Sequence, residues 1–360
     1  MSSSTTTVVI ILIAVGLVAP QAAFSQTPEG LGRMHTFKDW VVACDNTRVC
    51  EAQGYQAEGE PSAVLIVQRA AGPGAVPRLR IGFGVISPAD ESEVQPPKGP
   101  VTLRAGGLRL TLPAPDTGFI DVSAEHALAL RPTLVRAEKL LLSAAGRKWS
   151  VSLAGATAAL LKMDDLQGRV GTTGAWAKPG MRAESSVPPA GPVPKVKAQP
   201  IPPVRDTDAA LLPALLRELQ RAPNQDCPLL AENKAPQDGQ IFRLSQRQVM
   251  VVFPCWMAAY NGGSEAWIAN DRPPYAPVMA SFEPGGETET PITFPDFSRD
   301  ADGLLAVHSA HKGRGIADCF SVRAWVWDGK QFALTEATES PCKLFEAGGL
   351  PMRLWRADLH

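Results

Sequence analysis

The chain has 360 residues, of which 45% are hydrophobic, and a formal net charge of −1 at pH 7. A chain of this length can bury more than one hydrophobic core, so we expect two domains. Acidic and basic residues are interspersed, and no region supplies the positive field that holds a polyanion, which excludes nucleic acid as an expected partner.

The N-terminus has the pattern of a secretory signal peptide. Residues 8–19 read VVIILIAVGLVA, an apolar run too short to cross a membrane as a helix. Pro20 follows, and the small residues Ala23 and Ser25 predict cleavage after Ser25. We therefore expect residues 1–25 to be removed, leaving a periplasmic or secreted protein with no integral membrane segment. The alternative is that the run is retained as a membrane anchor.

The cysteines form three pairs that are close in sequence. The six positions are Cys44 and Cys50, Cys227 and Cys255, and Cys319 and Cys342. In an oxidising compartment this arrangement predicts three structural disulfides. Metal knuckles of the C-x-x-C type and Cys/His clusters at ligand spacing do not occur in the sequence. We therefore expect neither a metal nor another cofactor.

A proline-rich segment divides the mature chain. Residues 182–206 contain seven prolines and few bulky apolar side chains, so they cannot form a packed core. We expect an extended spacer that holds two tethered domains apart. The N-terminal β-rich domain covers 26–181, and the C-terminal disulfide-stabilised β-rich domain covers 207–360.

In the N-terminal domain, period-two alternation and branched side chains predict strands, and a Gly-Gly turn predicts a hairpin. The predicted strands and hairpin are 37–44, 62–69, 78–85, 101–112 and 148–153. Two helices are also expected, over 134–144 before Gly146 and over 156–167 before Gly168. Asp164 and Asp165 are expected at the solvated end of the second helix.

In the C-terminal domain, one helix precedes a series of strands. The helix is expected over 208–221, with Pro213 either kinking it or leaving the first turn outside it. The predicted strands are 240–245, 248–256, 265–270 and 304–311. A hairpin should turn at Asp328-Gly329, with Trp327 opposite Lys330 and Trp325 opposite Phe332. The fold class is therefore mainly β with a few short helices, as two antiparallel β-rich domains.

The stretch KGRGIADC contains the first candidate site. Lys312, Gly313, Arg314 and Gly315 have the composition of an anion-binding turn, or of a tight turn whose glycines adopt positive φ. Cys319 is expected in a disulfide, and the alternative is a thiolate nucleophile assisted by His308 or His311.

Four tryptophans in predicted strands form the second candidate site, and they have two interpretations. They are Trp256, Trp267, Trp325 and Trp327. Tryptophans in strands usually fill a core, and the alternative is an aromatic platform that stacks on sugar rings.

Several of these segments together resemble the proteobacterial domain-of-unknown-function 1176 family. The resemblance rests on FKDWVVACDNTRVCEAQGY (37–55), PCWMAAYN (254–261), and KGRGIADC followed by WVWDGKQFAL and a final cysteine. The N-terminal half is also similar, more weakly, to the invasion-associated locus B family of envelope proteins. Both resemblances imply an exported Gram-negative protein of β-rich fold, and neither supplies catalytic residues.

The functional hypothesis is a non-enzymatic binding or interaction module of the cell envelope, with an envelope component or another protein as partner. It follows from the paired cysteines and from the absence of a catalytic motif in the sequence. The alternative is an envelope enzyme that uses Cys319 and His311, or a carbohydrate-binding protein that uses the tryptophans.

Overall fold

The computed structural model describes residues 31–86, 92–221, 227–231, 239–283, 292–293 and 295–360. The expected signal peptide, residues 1–25, lies outside these ranges. Within them, no helix is both long enough and apolar enough to span a membrane.

Among the described residues, the N-terminal half contains two antiparallel sheets and two helices. In chain order its elements are β1 (His35–Phe37), β2 (Trp40–Cys44), β3 (Cys50–Tyr55), β4 (Ala63–Arg69), β5 (Arg78–Phe83), β6 (Val101–Ala105), β7 (Leu108–Leu112), β8 (Phe119–Val122), α1 (Ala124–Leu134), β9 (Lys139–Ala144), β10 (Arg147–Ser152) and α2 (Ala156–Leu166). The first sheet has the order β1-β2-β3-β4-β5-β8, and the second has the order β10-β9-β6-β7. One face of each sheet and both helices enclose a shared core.

In the part of the chain that the structure describes, the C-terminal half contains two larger sheets and a two-stranded one. Its elements, with a short strand in the proline-rich segment, are β11 (Lys195–Val196), α3 (Leu212–Arg221), α4 (Pro228–Ala231), β12 (Gln240–Arg243), β13 (Gln248–Met257), β14 (Gly262–Asn270), β15 (Val278–Met279), β16 (Phe282–Glu283), β17 (Ile292–Thr293), β18 (Asp296–Arg299), β19 (Leu305–Lys312), β20 (Phe320–Trp327), β21 (Phe332–Glu339), β22 (Met352–Arg356) and β23 (Asp358–Leu359). Strands β12 to β15 form one sheet, and β16-β21-β20-β19-β18 form the other. The expected fold class, mainly β with a few short helices, is confirmed.

Strand β13 shows how alternation builds the C-terminal cores. Val249, Val251 and Phe253 point toward α3 and α4, whereas Met250 and Val252 point toward the second sheet. A strand buried on both faces reads as a continuous apolar run, as this one does.

The expected helix over 134–144 is corrected. Residues 139–144 form strand β9, with Leu140, Leu142 and Ala144 buried and the residues between them exposed. The first helix lies earlier, where the hydroxyl of Ser123 accepts a hydrogen bond from the backbone N–H of His126 at 3.2 Å. Period-two burial, set by pairing with β6 and β10, overrides the helix propensity of leucine and alanine.

Helix α2 lies where it was expected, but the predicted solvation of Asp164 is wrong. Asp164 is fully buried, and its Oδ2 accepts hydrogen bonds from the backbone N–H of Trp176 at 2.7 Å and of Ala177 at 2.9 Å. Arg69, buried beside it, lies 3.5 Å from Oδ1. Asp164 therefore anchors the loop after α2, whereas Asp165 is exposed and pairs with Lys162.

The hairpin between β20 and β21 is shifted from its expected register. Trp327 lies opposite Phe332 and Trp325 opposite Leu334. The carboxylate of Asp328 accepts hydrogen bonds from the backbone N–H groups of Lys330 and Gln331, and the N–H of Asp328 donates to the carbonyl of Gln331 at 3.0 Å. The two-residue turn is therefore Gly329-Lys330, one position later than expected.

The two halves are in contact and are not held apart by the proline-rich segment. On strand β2, Trp40 and Val42 face the N-terminal core, whereas Val41 and Ala43 face a core formed mostly by the C-terminal half. Phe345 packs with residues of β3 and β4 in a separate cluster. The expectation of a separating spacer is wrong because side chains of both halves share these apolar clusters.

The proline-rich segment runs along the surface of both halves. Near its start, the N–H of Gly191 donates to Thr47. Further on, β11 pairs in parallel with β23, and the N–H of Gln199 donates to the carbonyl of Trp327 at 2.8 Å. The segment contains one 3-10 turn, Glu184–Ser186, which the expectation of an extended spacer did not include, and hydrogen bonds dock it to both halves. The domain boundaries at 182 and 206 stay a prediction.

We expect Phe345→Ala to lower the free energy of unfolding by about 3–5 kcal/mol, because it empties the cluster shared by the two halves. The measurement is urea denaturation followed by circular dichroism. Leu128→Ala, at a leucine that is 61% exposed, is the control and should cost less than about 1 kcal/mol. Equal losses in the two variants would contradict the shared cluster.

Candidate functional site

All six cysteines are joined in the three expected pairs. Cys44 bonds to Cys50, Cys227 to Cys255 and Cys319 to Cys342, which leaves no free thiol. The alternative in which Cys319 is a nucleophile is therefore wrong for this structure. His311 instead lies 3.4 Å from both the side-chain amide of Asn261 and the hydroxyl of Thr293.

The KGRG turn is built around an internal ion pair. The guanidinium of Arg314 donates to the fully buried carboxylate of Asp318, with 2.6 Å between Nε and Oδ1. Asp318 also accepts from the backbone N–H of Leu344 at 2.8 Å. Gly313 lies against the Cys319–Cys342 bridge, where a Cβ would meet Sγ of Cys319 at 2.7 Å. The arginine charge is neutralised within the turn, which favours the tight-turn interpretation over the anion-binding one.

Two segments that carried the family resemblance meet at this turn. The side chain of Asn261 accepts a hydrogen bond from the N–H of Lys312 at 3.0 Å and donates to its carbonyl at 3.0 Å. The ring of Tyr260 lies against Gly315. The YN of PCWMAAYN therefore holds the start of KGRGIADC, and its role in this structure is to position the turn.

The four tryptophans belong to two different cores. Trp325 and Trp327 are buried in the cluster shared with β2, whereas Trp267 is buried, and Trp256 half-buried, beneath α3 and α4. Side chains in separate cores cannot form one stacking surface. Their burial supports the core interpretation and argues against an aromatic platform.

A cavity of about 290 Å³ lies where the outer face of the first sheet meets the C-terminal half. We call it the junction groove. It is lined by Glu51, Gln53, Ile66, Gln68, Arg78, Arg80, Phe119, Asp121, Leu350 and Pro351. Its size is at the lower end of the range typical of small-molecule sites, which often form between domains.

Alternation along four neighbouring strands produces this groove. On β5, Leu79 and Ile81 enter the N-terminal core, whereas Arg78 and Arg80 point outward and are exposed. Strand β3 alternates in the same way, with Ala52 inward and Glu51 and Gln53 outward. Because the strands are adjacent and antiparallel, their outward side chains form one polar surface.

Glu51 is the carboxyl group at the base of the groove. Its two oxygens accept hydrogen bonds from the side-chain amides of Gln53 at 2.6 Å and Gln68 at 3.4 Å. Burial raises the pKa of Glu51, although these amides and the charges of Arg80 and Arg353 act in the opposite direction. The side-chain oxygen of Gln53 in turn accepts a hydrogen bond from the hydroxyl of Tyr55. Tyr55 therefore fixes the orientation of the amide that donates to Glu51.

Arginines form the opposite wall. The Nε of Arg80 lies 3.1 Å from a carboxylate oxygen of the exposed Asp121, and its guanidinium lies 4.5 Å from the centre of the Phe119 ring. Arg78 has no hydrogen-bond or ion-pair partner among the residues the structure describes. The groove therefore offers a cation on one side, a half-buried carboxyl on the other and the exposed amide of Gln68 between them.

A larger cavity of about 790 Å³ adjoins the groove. The two cavities share Gln68, Arg78 and Asp121, and the larger one extends toward Ala75–Pro77 and Ala124. A ligand longer than the groove can therefore continue along the edge of β5 and β8.

The sequence analysis did not identify the groove residues. The signal was present in RLRIGF, where charged residues alternate with apolar ones, and in the Glu51-x-Gln53 spacing. Alternation shows that these side chains share the outer face of a sheet. It does not show that Leu350 and Pro351, distant in sequence, turn that face into a cavity.

We expect Glu51→Gln to raise the melting temperature at neutral pH. Because the folded-state pKa of Glu51 is raised, its contribution to stability is present at acidic pH and is lost as the pH rises through that pKa. The amide does not ionise. The gain should therefore disappear below about pH 4, where the Glu51 carboxyl of the wild type is protonated in both the folded and the unfolded protein. Thermal unfolding across this pH range is the measurement.

Glu58→Gln, at an exposed glutamate, is the control for this experiment. It should change the free energy of unfolding by less than about 0.5 kcal/mol throughout the range. A Glu51→Gln variant that is less stable than wild type at pH 7 would contradict the prediction.

Ala317 adopts a left-handed conformation, with φ of 57°. Its carbonyl accepts a hydrogen bond from the N–H of Gly348 at 2.8 Å, which fixes the turn next to Asp318. A side chain in this region is strained, so we expect Ala317→Gly to stabilise the protein by about 0.5–1 kcal/mol, measured by urea denaturation. Ala324→Gly, in the middle of β20, should instead destabilise it by about 1 kcal/mol. Destabilisation by both variants would contradict the strain.

Comparison with known proteins identifies the family. The chain is 29% identical, over 339 residues, to the uncharacterized protein YpfG of Escherichia coli strain K12, and the match covers 89% of this chain and 91% of that protein. No solved structure matches the chain. The weaker similarity to the invasion-associated locus B family is not shown by these matches. Residues 34–358 match the model of the family described as protein of unknown function DUF1176, and the chain therefore belongs to this family.

Proposed function

We propose that the protein is a non-enzymatic binding module of the bacterial cell envelope, exported to the periplasm, that takes its ligand in the junction groove. The observation that carries the proposal is the pairing of a half-buried carboxyl group, Glu51, with arginines across one small cavity. Export is supported by the three disulfides, which persist in an oxidising compartment.

The groove chemistry fits a zwitterionic ligand that carries amides. Arg78 and Arg80 are suited to a carboxylate, because a guanidinium matches its two oxygens. Glu51 is suited to an ammonium group, and the exposed amide of Gln68 is suited to a peptide group. Phe119 supplies an apolar face beside them. Short peptides of the cell wall combine these groups, so we take them as the ligand class.

The same contacts support binding over catalysis. Both oxygens of Glu51 are occupied by glutamine amides, so the carboxyl is held in place by its neighbours. Cys319, for which a nucleophile was the alternative interpretation of the sequence, is crosslinked to Cys342. We therefore expect a bound ligand to be released unchanged.

The test is calorimetric titration with soluble cell-wall fragments that carry a tetrapeptide, compared with the same disaccharide lacking the peptide. Wild type should bind only the fragment with the peptide. Arg78→Gln combined with Arg80→Gln should weaken binding by about tenfold or more, because charge-assisted hydrogen bonds to the ligand carboxylate are lost.

The matched control combines Arg104→Gln with Arg109→Gln. These two exposed arginines lie opposite each other on β6 and β7 of the second sheet, and their removal changes the net charge equally. Affinity of the control should stay within about twofold of wild type. Absence of binding by wild type, or an equal loss in the control, would contradict the location of the site. Conversion of the fragment to a product would contradict the non-enzymatic assignment.

A further inference from the structure

A third cavity, of about 650 Å³, lies in the C-terminal half, where the segment before α3 meets two turns. Arg205, Arg247 and Arg272 line it, together with Asp271 and Gln246. We call it the arginine pocket. It shares no lining residue with the junction groove.

The base of the pocket is a buried ion-pair network. The side chain of Arg243 is 2% exposed and donates from Nε to Asp208 at 2.8 Å and from Nη1 to Asp271 at 3.1 Å. It also donates to the carbonyls of Ser245 at 3.2 Å and Gln246 at 3.3 Å. The hydrogen bond between Arg243 and Asp208 lowers the pKa of Asp208 and raises that of Arg243, so both stay charged. This network fixes the two turns side by side.

Arg205 is held in position on one wall. Its guanidinium donates to the side-chain oxygen of Gln246 at 2.6 Å and to the carbonyl of Gln246 at 3.3 Å, and it lies 3.5 Å from Asp271. Its backbone N–H donates to Asp208 at 2.9 Å. A side chain fixed in this way loses little conformational freedom when it binds an anion.

Arg247 and Arg272 supply charge that is not neutralised. The N–H of Asp271 donates to the carbonyl of Arg247 at 2.9 Å, which joins the two turns and brings both arginines to the same cavity. Within the described part of the chain, neither guanidinium has an ion-pair or hydrogen-bond partner. The three lining arginines face one carboxylate, Asp271, which Arg243 also contacts.

The pocket is therefore a local excess of positive charge on a protein whose formal net charge is −1. Charges that line one concave site act together on one ligand, whereas isolated surface arginines do not. Guanidinium groups donate in a planar fork that matches the oxygens of a phosphate group. The volume also accommodates substituents beyond the phosphate itself.

We propose that the arginine pocket is a binding site for a phosphate group. Arg247 and Arg272 are the principal contacts, and Arg205 is the preorganised third. The phosphate comes either from a small soluble molecule or from the headgroup of an anionic lipid. This inference is independent of the proposed function, because it uses other residues in the other half of the chain.

The experiment has two arms on the full mature chain. In the first, inorganic phosphate and pyrophosphate are titrated by calorimetry at low ionic strength. In the second, the protein is sedimented with vesicles of phosphatidylglycerol and phosphatidylcholine, or of phosphatidylcholine alone. Binding in the first arm supports a soluble ligand, and binding only to the anionic vesicles supports a lipid headgroup. Binding in neither arm overturns the proposal.

The decisive variant combines Arg247→Gln with Arg272→Gln, and it should weaken binding by about tenfold or more. Arg104→Gln combined with Arg109→Gln removes the same charge from the second sheet and should stay within about twofold of wild type. Arg247→Lys with Arg272→Lys should retain part of the affinity, because the charge remains and the fork is lost. Equal weakening by the decisive and control variants overturns the proposal. Unchanged melting temperatures show that each variant is folded.

Discussion

Burial of strand β2 on both faces is the constraint on which the rest of the structure depends. Trp40 and Val42 fill the N-terminal core, whereas Val41 and Ala43 fill a core provided mostly by the C-terminal half. Each fully buried valine contributes about 1.5–3 kcal/mol relative to exposure, so neither face of the strand is dispensable. The outer face of the first sheet consequently meets the C-terminal half in one fixed arrangement.

The junction groove is a result of that arrangement. Moving outward from β2, the outer face of the sheet changes from apolar side chains to Glu51, Gln68 and the arginines of β5. The C-terminal segment covers the apolar part through Phe345 and Leu350. The cavity lies at the boundary, where polar side chains are close enough to the covering segment to be partly desolvated. Its unusual carboxyl, Glu51, is a product of the interface between the halves.

Local pattern was sufficient to predict much of the fold. Period-two alternation identified most of the longer strands, and the hairpin over 101–112 and helix α2 lie where expected. The errors arose where distant contacts decide the outcome. Leucine and alanine favour helix over 139–144, and only pairing with β6 and β10 makes that segment a strand. The hairpin register depended on the side chain of Asp328, which composition alone does not locate.

The candidate sites were harder to predict for a related reason. The cysteine pairs are close in sequence, and the structure joins them as expected. From the sequence, Arg314 of KGRG was a candidate for binding an anion. In the structure its charge is neutralised by Asp318, four residues later. Both cavities that support proposals are assembled from segments far apart in the chain. Their residues carry no motif, and the chemistry follows from their proximity.

The placement of the crosslinks has a consequence for proteolysis. One bridge lies within the N-terminal half and two lie within the C-terminal half, so no sulfur bond connects the halves. Peptide bonds of the proline-rich segment are the covalent connection between them. A protease that nicks this segment would leave two fragments associated through the double burial of β2. They would migrate together in native gels and separate in detergent without any reductant.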